Sequence, residues 1–244
     1  MNKIKKRIML VKEGKSFSDK LKIFISVLSL GKYKPQVFLE NKDGVFFVRR
    51  NSADLWMLST LGEFDMRKYF SLSEGTFLDI GANVGKYSII ISKQIKDKGK
   101  VFSFEPEPSN LIALKRNIKL NKAKNITIIP FACSNKKAKL EFYLNENNSG
   151  GHSLVNKSNN KISVDADTLD NIIKENNIKN IKLIKIDVEG AEMQVFEGAK
   201  ETLKKYHPKI IFETDFPGKV FPLLKKLNYE IKQISKRDYF ADIK

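Results

Sequence analysis

From residue 76 onward, short runs rich in Ile, Val and Phe alternate with stretches whose apolar residues recur every three or four positions. TFLDI (76–80), VFSFE (101–105), ITIIPF (126–131), IKLIKID (181–187), KIIFET (209–214) and YEIKQIS (229–235) read as strands. Helical periodicity follows most of them: Val84, Tyr87, Ile91 and Ile95; then Leu111, Leu114 and Ile118; DTLDNIIKENN (167–177), with an aspartate at its start; Val195, Phe196, Ala199 and Leu203; and FPLLKKL (221–227). AKLEFYL (138–144) has the alternation of a strand or hairpin arm and leads into the polar loop NENNSGGHS (145–153). Strands separated by helices pair through crossovers, so the pattern predicts an α/β fold with a doubly wound, mostly parallel sheet. Ligands of such sheets sit beyond the carboxyl ends of the strands, which makes the residues at those ends the candidates for chemistry.

The first part of the chain reads differently. QVFLE and GVFFVRR flank Asn41-Lys42-Asp43-Gly44, a hairpin with an Asp-Gly turn, and residues 53–70 are expected to be helical at least in part. We divide the chain into a basic N-terminal extension, residues 1–70, and a main domain, residues 71–244. The net charge is +17, and only six of the 45 basic residues are arginine. Lysine excess is either compositional bias or a preference for anionic partners, because lysine lacks the fork that arginine offers to phosphate. Residues 1–35 carry ten Lys/Arg against Glu13 and Asp19. Their one apolar run, 21–30, is too short to span a bilayer, and no small-residue cleavage site follows it. A helix packed on the main domain with its lysines exposed is the favoured reading; a basic helix resting on anionic lipid is the other. The single cysteine, Cys133, excludes an internal disulfide and fits a reducing compartment, so the protein is expected in the cytoplasm, with peripheral membrane contact through the basic arm as a further option.

The stretch FLDIGANVGKYS (77–88) carries the strongest ligand signal. It has three residues between Gly81 and Gly85 where a Walker A loop has four, and Tyr87 follows Lys86. As a dinucleotide fingerprint it has Asn83 and Lys86 where the second and third glycines belong. Both phosphate readings are therefore disfavoured. S-adenosylmethionine, with an ammonium and a sulfonium, suits an acid such as Asp79 at the strand end. Asn83 tolerates the left-handed conformation almost as glycine does. Glu105 ends the second strand, where an acid accepts hydrogen bonds from ribose hydroxyls, and Pro106 stiffens the turn after it. The expected cofactor residues are Asp79, Gly81, Asn83, Gly85, Tyr87, Glu105 and Pro106.

FLDIGANVGKYS (77–88), FEPEP (104–108), LIKIDVEGAEMQVFEGA (183–199) and HPKIIFE (207–213) together resemble the FkbM family of S-adenosylmethionine-dependent methyltransferases. The resemblance covers roughly residues 76–215 and implies a class I, Rossmann-like fold and methyl transfer to an oxygen of a sugar, glycan or other small-molecule acceptor.

An alcohol is a poor nucleophile at neutral pH, so a base or a metal must handle its proton. Asp187, Glu189 and Glu192 crowd the end of one strand, and Glu213 and Asp215 the end of the next. We expect Asp187 as base or acceptor-orienting residue, with Glu189 or Glu213 as its helper. The same carboxylates are candidates for Mg²⁺, which takes oxygen ligands. His152, in the polar loop, is the alternative base. Trp56 is expected in the core rather than in an acceptor groove. RNA is the rival acceptor on the strength of the charge, and a binding module without turnover is the reading outside enzymology. Against RNA stand the lysine bias and the lack of a recognisable RNA-binding module.

Overall fold

A computed structural model describes residues 3–62, 66–144, 154 and 159–244. The centre is a seven-stranded sheet of β3 (Gly75–Ile80), β4 (Gly99–Phe104), β5 (Ile126–Ile129), β9 (Ile181–Ile186), β10 (Lys209–Glu213), β11 (Tyr229–Gln233) and β12 (Asp238–Ile243). Their spatial order is β11-β12-β10-β9-β3-β4-β5. The five strands from β10 to β5 are parallel, and β12 runs antiparallel to both β10 and β11. The order reverses between β3 and β9, the switch point where a doubly wound sheet opens a crevice for ligand.

Side-chain alternation sorts the two faces. Leu78, Ile80, Ile184, Ile186, Ile210 and Phe212 pack beneath α6 (Leu169–Glu175), α7 (Glu192–Glu197), α8 (Lys200–Tyr206) and α9 (Pro217–Lys226). Phe77, Val101, Leu183 and Ile211 face the other way, against Tyr87, Ile91 and Ile95 of α4 (Lys86–Ile95). The helix expected after residue 187 is two helices, broken around Gly198 and Ala199. A Cβ on Gly198 would stand 2.0 Å from the Ser134 carbonyl oxygen.

Three strands escaped the sequence reading, at residues 132–134, 161–168 and 238–243. β8 (Lys161–Thr168) joins β6 (Ala132–Ser134) and β7 (Ala138–Tyr143) in a small separate sheet, and Thr168 rather than Asp167 caps α6. β12 inserts between β10 and the edge strand β11 in the main sheet. Residues 53–70 are less helical than expected, holding α3 (Asp54–Leu58) and a 3-10 turn at Arg67–Tyr69.

The expected Asp-Gly hairpin forms from β1 (Val37–Asn41) and β2 (Gly44–Val48). It lies against α5 (Pro108–Leu120), with α1 (Lys3–Lys12) and α2 (Phe17–Leu28) covering its other side. Leu39, Phe46 and Val48 share one buried cluster with Leu10, Ile23, Val84, Ile89 and Ala113. Asn117 is the polar clamp at this seam. Fully buried, its Oδ1 accepts from Phe47 N–H (2.7 Å) and its Nδ2 donates to the Val84 carbonyl (2.9 Å). Asn117→Ala leaves two buried backbone groups unsatisfied, so it should cost about 2–5 kcal/mol. A thermal melt would read this as about 2–4 °C per kcal/mol; an unchanged midpoint would show that the seam does not depend on this side chain.

Candidate active site

The glycine turn after β3 meets the end of β9 at very close range. Gly81 has φ 78°, and a Cβ there would stand 1.8 Å from the Asp187 carbonyl oxygen. Asp187 N–H donates to the Ile80 carbonyl (3.0 Å). The buried Lys185 donates to the Gly81 carbonyl (3.0 Å) and stands 3.6 Å from Asp79 Oδ1 and 3.2 Å from Asp187 Oδ2. Gly85, at φ 90°, opens α4, and a Cβ there would meet the Leu114 Cδ1 at 2.4 Å.

Asp79 is not on the wall of the crevice. Strand alternation turns it onto the α4 face together with Lys185, its register partner on β9. It is 1% exposed, and its Oδ2 accepts from Ser88 Oγ (2.6 Å). Burial raises its pKa, against the opposing pull of Lys185 and Ser88. Tyr87 is also set back, stacked on Phe70 with centroids 3.8 Å apart. These two therefore support the turn from behind. Lys185, which does the same, went unread in the sequence, although a lysine inside the apolar run IKLIKI was the available signal.

Gly81, Asn83, Glu105, Pro106, Phe131 and Cys133 line a cavity on the β4 side of the switch point. Glu105 is buried and accepts from Asn83 N–H (2.8 Å) at Oε2, and from Glu107 N–H (3.0 Å) and Asn110 Nδ2 (3.2 Å) at Oε1. Arg49 extends this network, donating to Asn110 Oδ1 (2.8 Å) while forked onto Asp54 (2.8 and 2.9 Å). Burial pushes the Glu105 carboxyl up to about 7. Asn83 adopts the left-handed conformation expected of it, φ 50°, and its buried Oδ1 has no hydrogen-bond partner. A ligand bearing an ammonium fits that orphan acceptor, and one ribose hydroxyl fits the remaining lone pair on Glu105 Oε2. Both suit S-adenosylmethionine. Accepting from two hydroxyls, as the sequence reading had it, would require one of the present donors to move.

A second space, a groove of about 570 Å³, runs between the N-terminal helices and the strand ends. Trp56, Leu30, Val27 and Met57 line its apolar side, and Asp187, Glu189 and Glu213 lie at its strand end. Asn83, Asp187 and Glu189 border both spaces. Trp56 is 51% exposed here, so the expectation that it packs in the core is wrong: α3 is a single short turn that directs it outward.

The carboxylates gather around a cation supplied by the chain itself. Arg237, in the turn before β12, lies 2.9 Å from Glu213, 2.8 Å from Asp215 and 3.5 Å from Glu189. Among the described residues no cluster of three or more His, Cys, Asp or Glu side chains could hold a metal, so the Mg²⁺ expectation finds no site. A guanidinium takes the central position that Mg²⁺ was expected to occupy. Burial, together with the nearby Asp187, raises Glu189 to about 7 and Glu213 to about 8. Glu192 instead ties its own loop, accepting from Gly190 N–H (2.7 Å) and Thr214 Oγ1 (3.2 Å). His152 lies outside the described residues.

The Methyltransferase FkbM domain model matches residues 79–239. Relatives include Methyltransferase sdnD of Sordaria araneosa, 25% identical over 62% of this chain and 70% of that protein. Hexuronic acid methyltransferase AglP of Haloferax volcanii is 24% identical over 80% and 82% of the respective lengths. 2-O-methyltransferase NoeI of Sinorhizobium fredii is 28% identical over 52% and 58%. The crystal structure of methyltransferase FkbM from Methylobacillus flagellatus KT superposes with a TM-score of 0.51 at 16% identity, a likeness of fold. It takes in 98% of this chain but only 58% of that one.

An acid whose folded pKa is raised stabilises fully below its ordinary value of 4.5 and loses that contribution as pH rises through the raised value. Glu213→Gln should therefore raise the melting temperature at pH 8–9, by about 2–4 °C per kcal/mol recovered. The gain over wild type should fade toward pH 5. A variant that melts lower than wild type at pH 9 would show that the Arg237 pairing outweighs the burial penalty.

Proposed function

The chain belongs to the FkbM methyltransferase family and is a methyltransferase on a class I, Rossmann-like sheet, and we propose that its acceptor is a hydroxyl of a sugar, glycan or other small molecule. The observation that carries this reading is the junction of two spaces at Asn83, Asp187 and Glu189, one suited to the cofactor and the other open to an acceptor. Two relatives are named for hexuronic acid methylation and for 2-O-methylation, which supports a sugar hydroxyl.

S-adenosylmethionine, when bound, supplies an electrophilic methyl group. Gly81 and Asn83 hold its methionyl end, Glu105 its ribose, and the wall of Phe131 and Cys133 its base. Asp79, Lys185 and Ser88 act at one remove by fixing the Gly81 backbone. In the groove, Asp187 orients the acceptor hydroxyl. Glu189, raised to about 7 and bordering both spaces, takes its proton. Glu213 and Arg237 set the charge around Glu189. Positioning alone contributes several kcal/mol, and a matched base adds about 10²–10⁴-fold.

Two outcomes follow. Because the Glu105 carboxyl is raised to about 7 and must be ionised to accept from ribose, S-adenosylhomocysteine should bind about tenfold more weakly at pH 6 than at pH 8 by calorimetry. Glu105→Gln should bind weakly at both pH values; a wild-type affinity independent of pH would remove Glu105 from the ribose site. With a panel of uronic acid and 2-hydroxyl sugar acceptors, Glu189→Gln should lower kcat by about 10²-fold or more and keep S-adenosylhomocysteine affinity. Asp187→Asn should chiefly raise the acceptor KM. Wild-type turnover in Glu189→Gln, or methylation of RNA in preference to every sugar, would overturn the assignment.

A further inference from the structure

α2 is amphipathic in an inverted sense. Phe17, Leu21, Phe24, Ile25 and Leu28 fall within about 100° of arc on the helix, and this apolar stripe faces solvent. Phe17 is 83% exposed and Leu28 65%. Asp19, Ile23 and Ser26 form the buried side. The helix cannot roll to hide its stripe. Asp19 completes a capping box with Ser16 while its Oδ1 accepts from Phe38 N–H of β1 (3.2 Å), and Ile23 is fully buried in the hairpin core. The sequence expectation of a packed helix that shows mainly lysines is therefore corrected: the apolar side is the one shown. Ile8 and Met9 of α1 add further exposed apolar surface.

We propose that α2 docks on an anionic phospholipid surface, its apolar stripe entering the headgroup boundary and the surrounding lysines meeting the lipid charge. Charge complementarity selects this occupant. Lys20 and Lys22 flank the stripe on either side, within an N-terminal segment of ten basic residues and two acids. A second copy of the chain would bring an equally positive arm against the first, whereas anionic headgroups neutralise it. Among the described residues no helix is long and apolar enough to cross a membrane, so contact of this kind lies along the surface. Val27 at the end of the same helix, and Leu30 and Lys34 just beyond it, line the groove, so docking holds the groove next to the headgroups. An acceptor displayed at that level would enter directly. That last step rests on the acceptor reading above; lipid binding does not.

The test uses the full chain and vesicles. Co-sedimentation at about 0.1 M NaCl should be about tenfold or more greater with phosphatidylcholine vesicles containing about 30% phosphatidylglycerol than with phosphatidylcholine alone, and about 0.5 M NaCl should weaken it. Leu21→Glu/Phe24→Glu should reduce binding about tenfold or more while retaining the melting temperature and S-adenosylhomocysteine affinity, because both side chains are exposed. Phe24→Trp in a Trp56→Phe background should shift its emission to the blue only with the anionic vesicles. Absence of binding to those vesicles overturns the proposal. So does equal binding by Leu21→Glu/Phe24→Glu, which would show adsorption through net charge alone. A dimer in light scattering that this double variant dissolves would assign the stripe to a second copy and also overturn it. Loss of turnover on soluble sugars with lipid binding intact would instead count against the acceptor reading alone.

Discussion

At Gly81 the backbone leaving β3 passes so close to the Asp187 carbonyl that a methyl group would overlap it. This contact sets the distance between the two strand ends across which the crevice opens. Lys185 locks it from below by donating to the Gly81 carbonyl while lying near Asp79 and Asp187. From the same junction Asn83 reaches Glu105 on one side and borders the groove on the other. The cavity beside Glu105 and the groove beside Trp56 are thus two sides of a single backbone approach, and a side chain at position 81 would separate them.

The second constraint is electrostatic. Glu105, Glu189 and Glu213 are held where burial opposes their charge. A fold under no demand but stability would place these carboxylates in water. Their retention is tolerable because each has partners: backbone and amide donors for Glu105, and Arg237 for the other two. The guanidinium arrives on the turn that precedes the antiparallel strand β12, so the strand that joins β10 to the edge strand β11 serves the site as well as the sheet. Strained or desolvated groups collected at one end of a sheet are a usual mark of a functional site.

Most of the sheet was legible in the sequence because parallel, doubly covered strands are continuous apolar runs, as in IKLIKI and KIIFE. β12 and β8 were not. Each alternates with polar residues, and DYFADI and KISVDADT depend on partners far away in the chain to become strands. The glycine turn and Glu105 could be read because they are local motifs with local physics. The direction of Asp79 could not, since it is decided by strand parity against β9 and by the packing of α4. Arg237 was missed for the same reason: an isolated basic residue in a strongly basic chain carries no signal until its carboxylates are placed around it. Lys185 does carry a signal, its place inside the apolar run IKLIKI, but its role depends on where Asp79 and Asp187 fall. Trp56 and the outward stripe of α2 show the converse, since apolar residues were assumed to be buried and the fold leaves these exposed.

The hydrogen bond between Lys185 and Gly81 joins residues 104 positions apart. In kinetic terms, the loop it closes must be traversed by β4, β5, the small sheet and β9 before the crevice exists at all. Closure entropy grows only logarithmically with such a loop, but it must be met before any contact of the site rewards it. The junction therefore belongs to the late, non-local part of folding, while helices such as α5 can form from neighbouring residues alone. A ligand that binds only the completed junction draws population toward the folded ensemble by mass action. The cofactor is thereby a participant in how long this chain stays folded as well as in what it does.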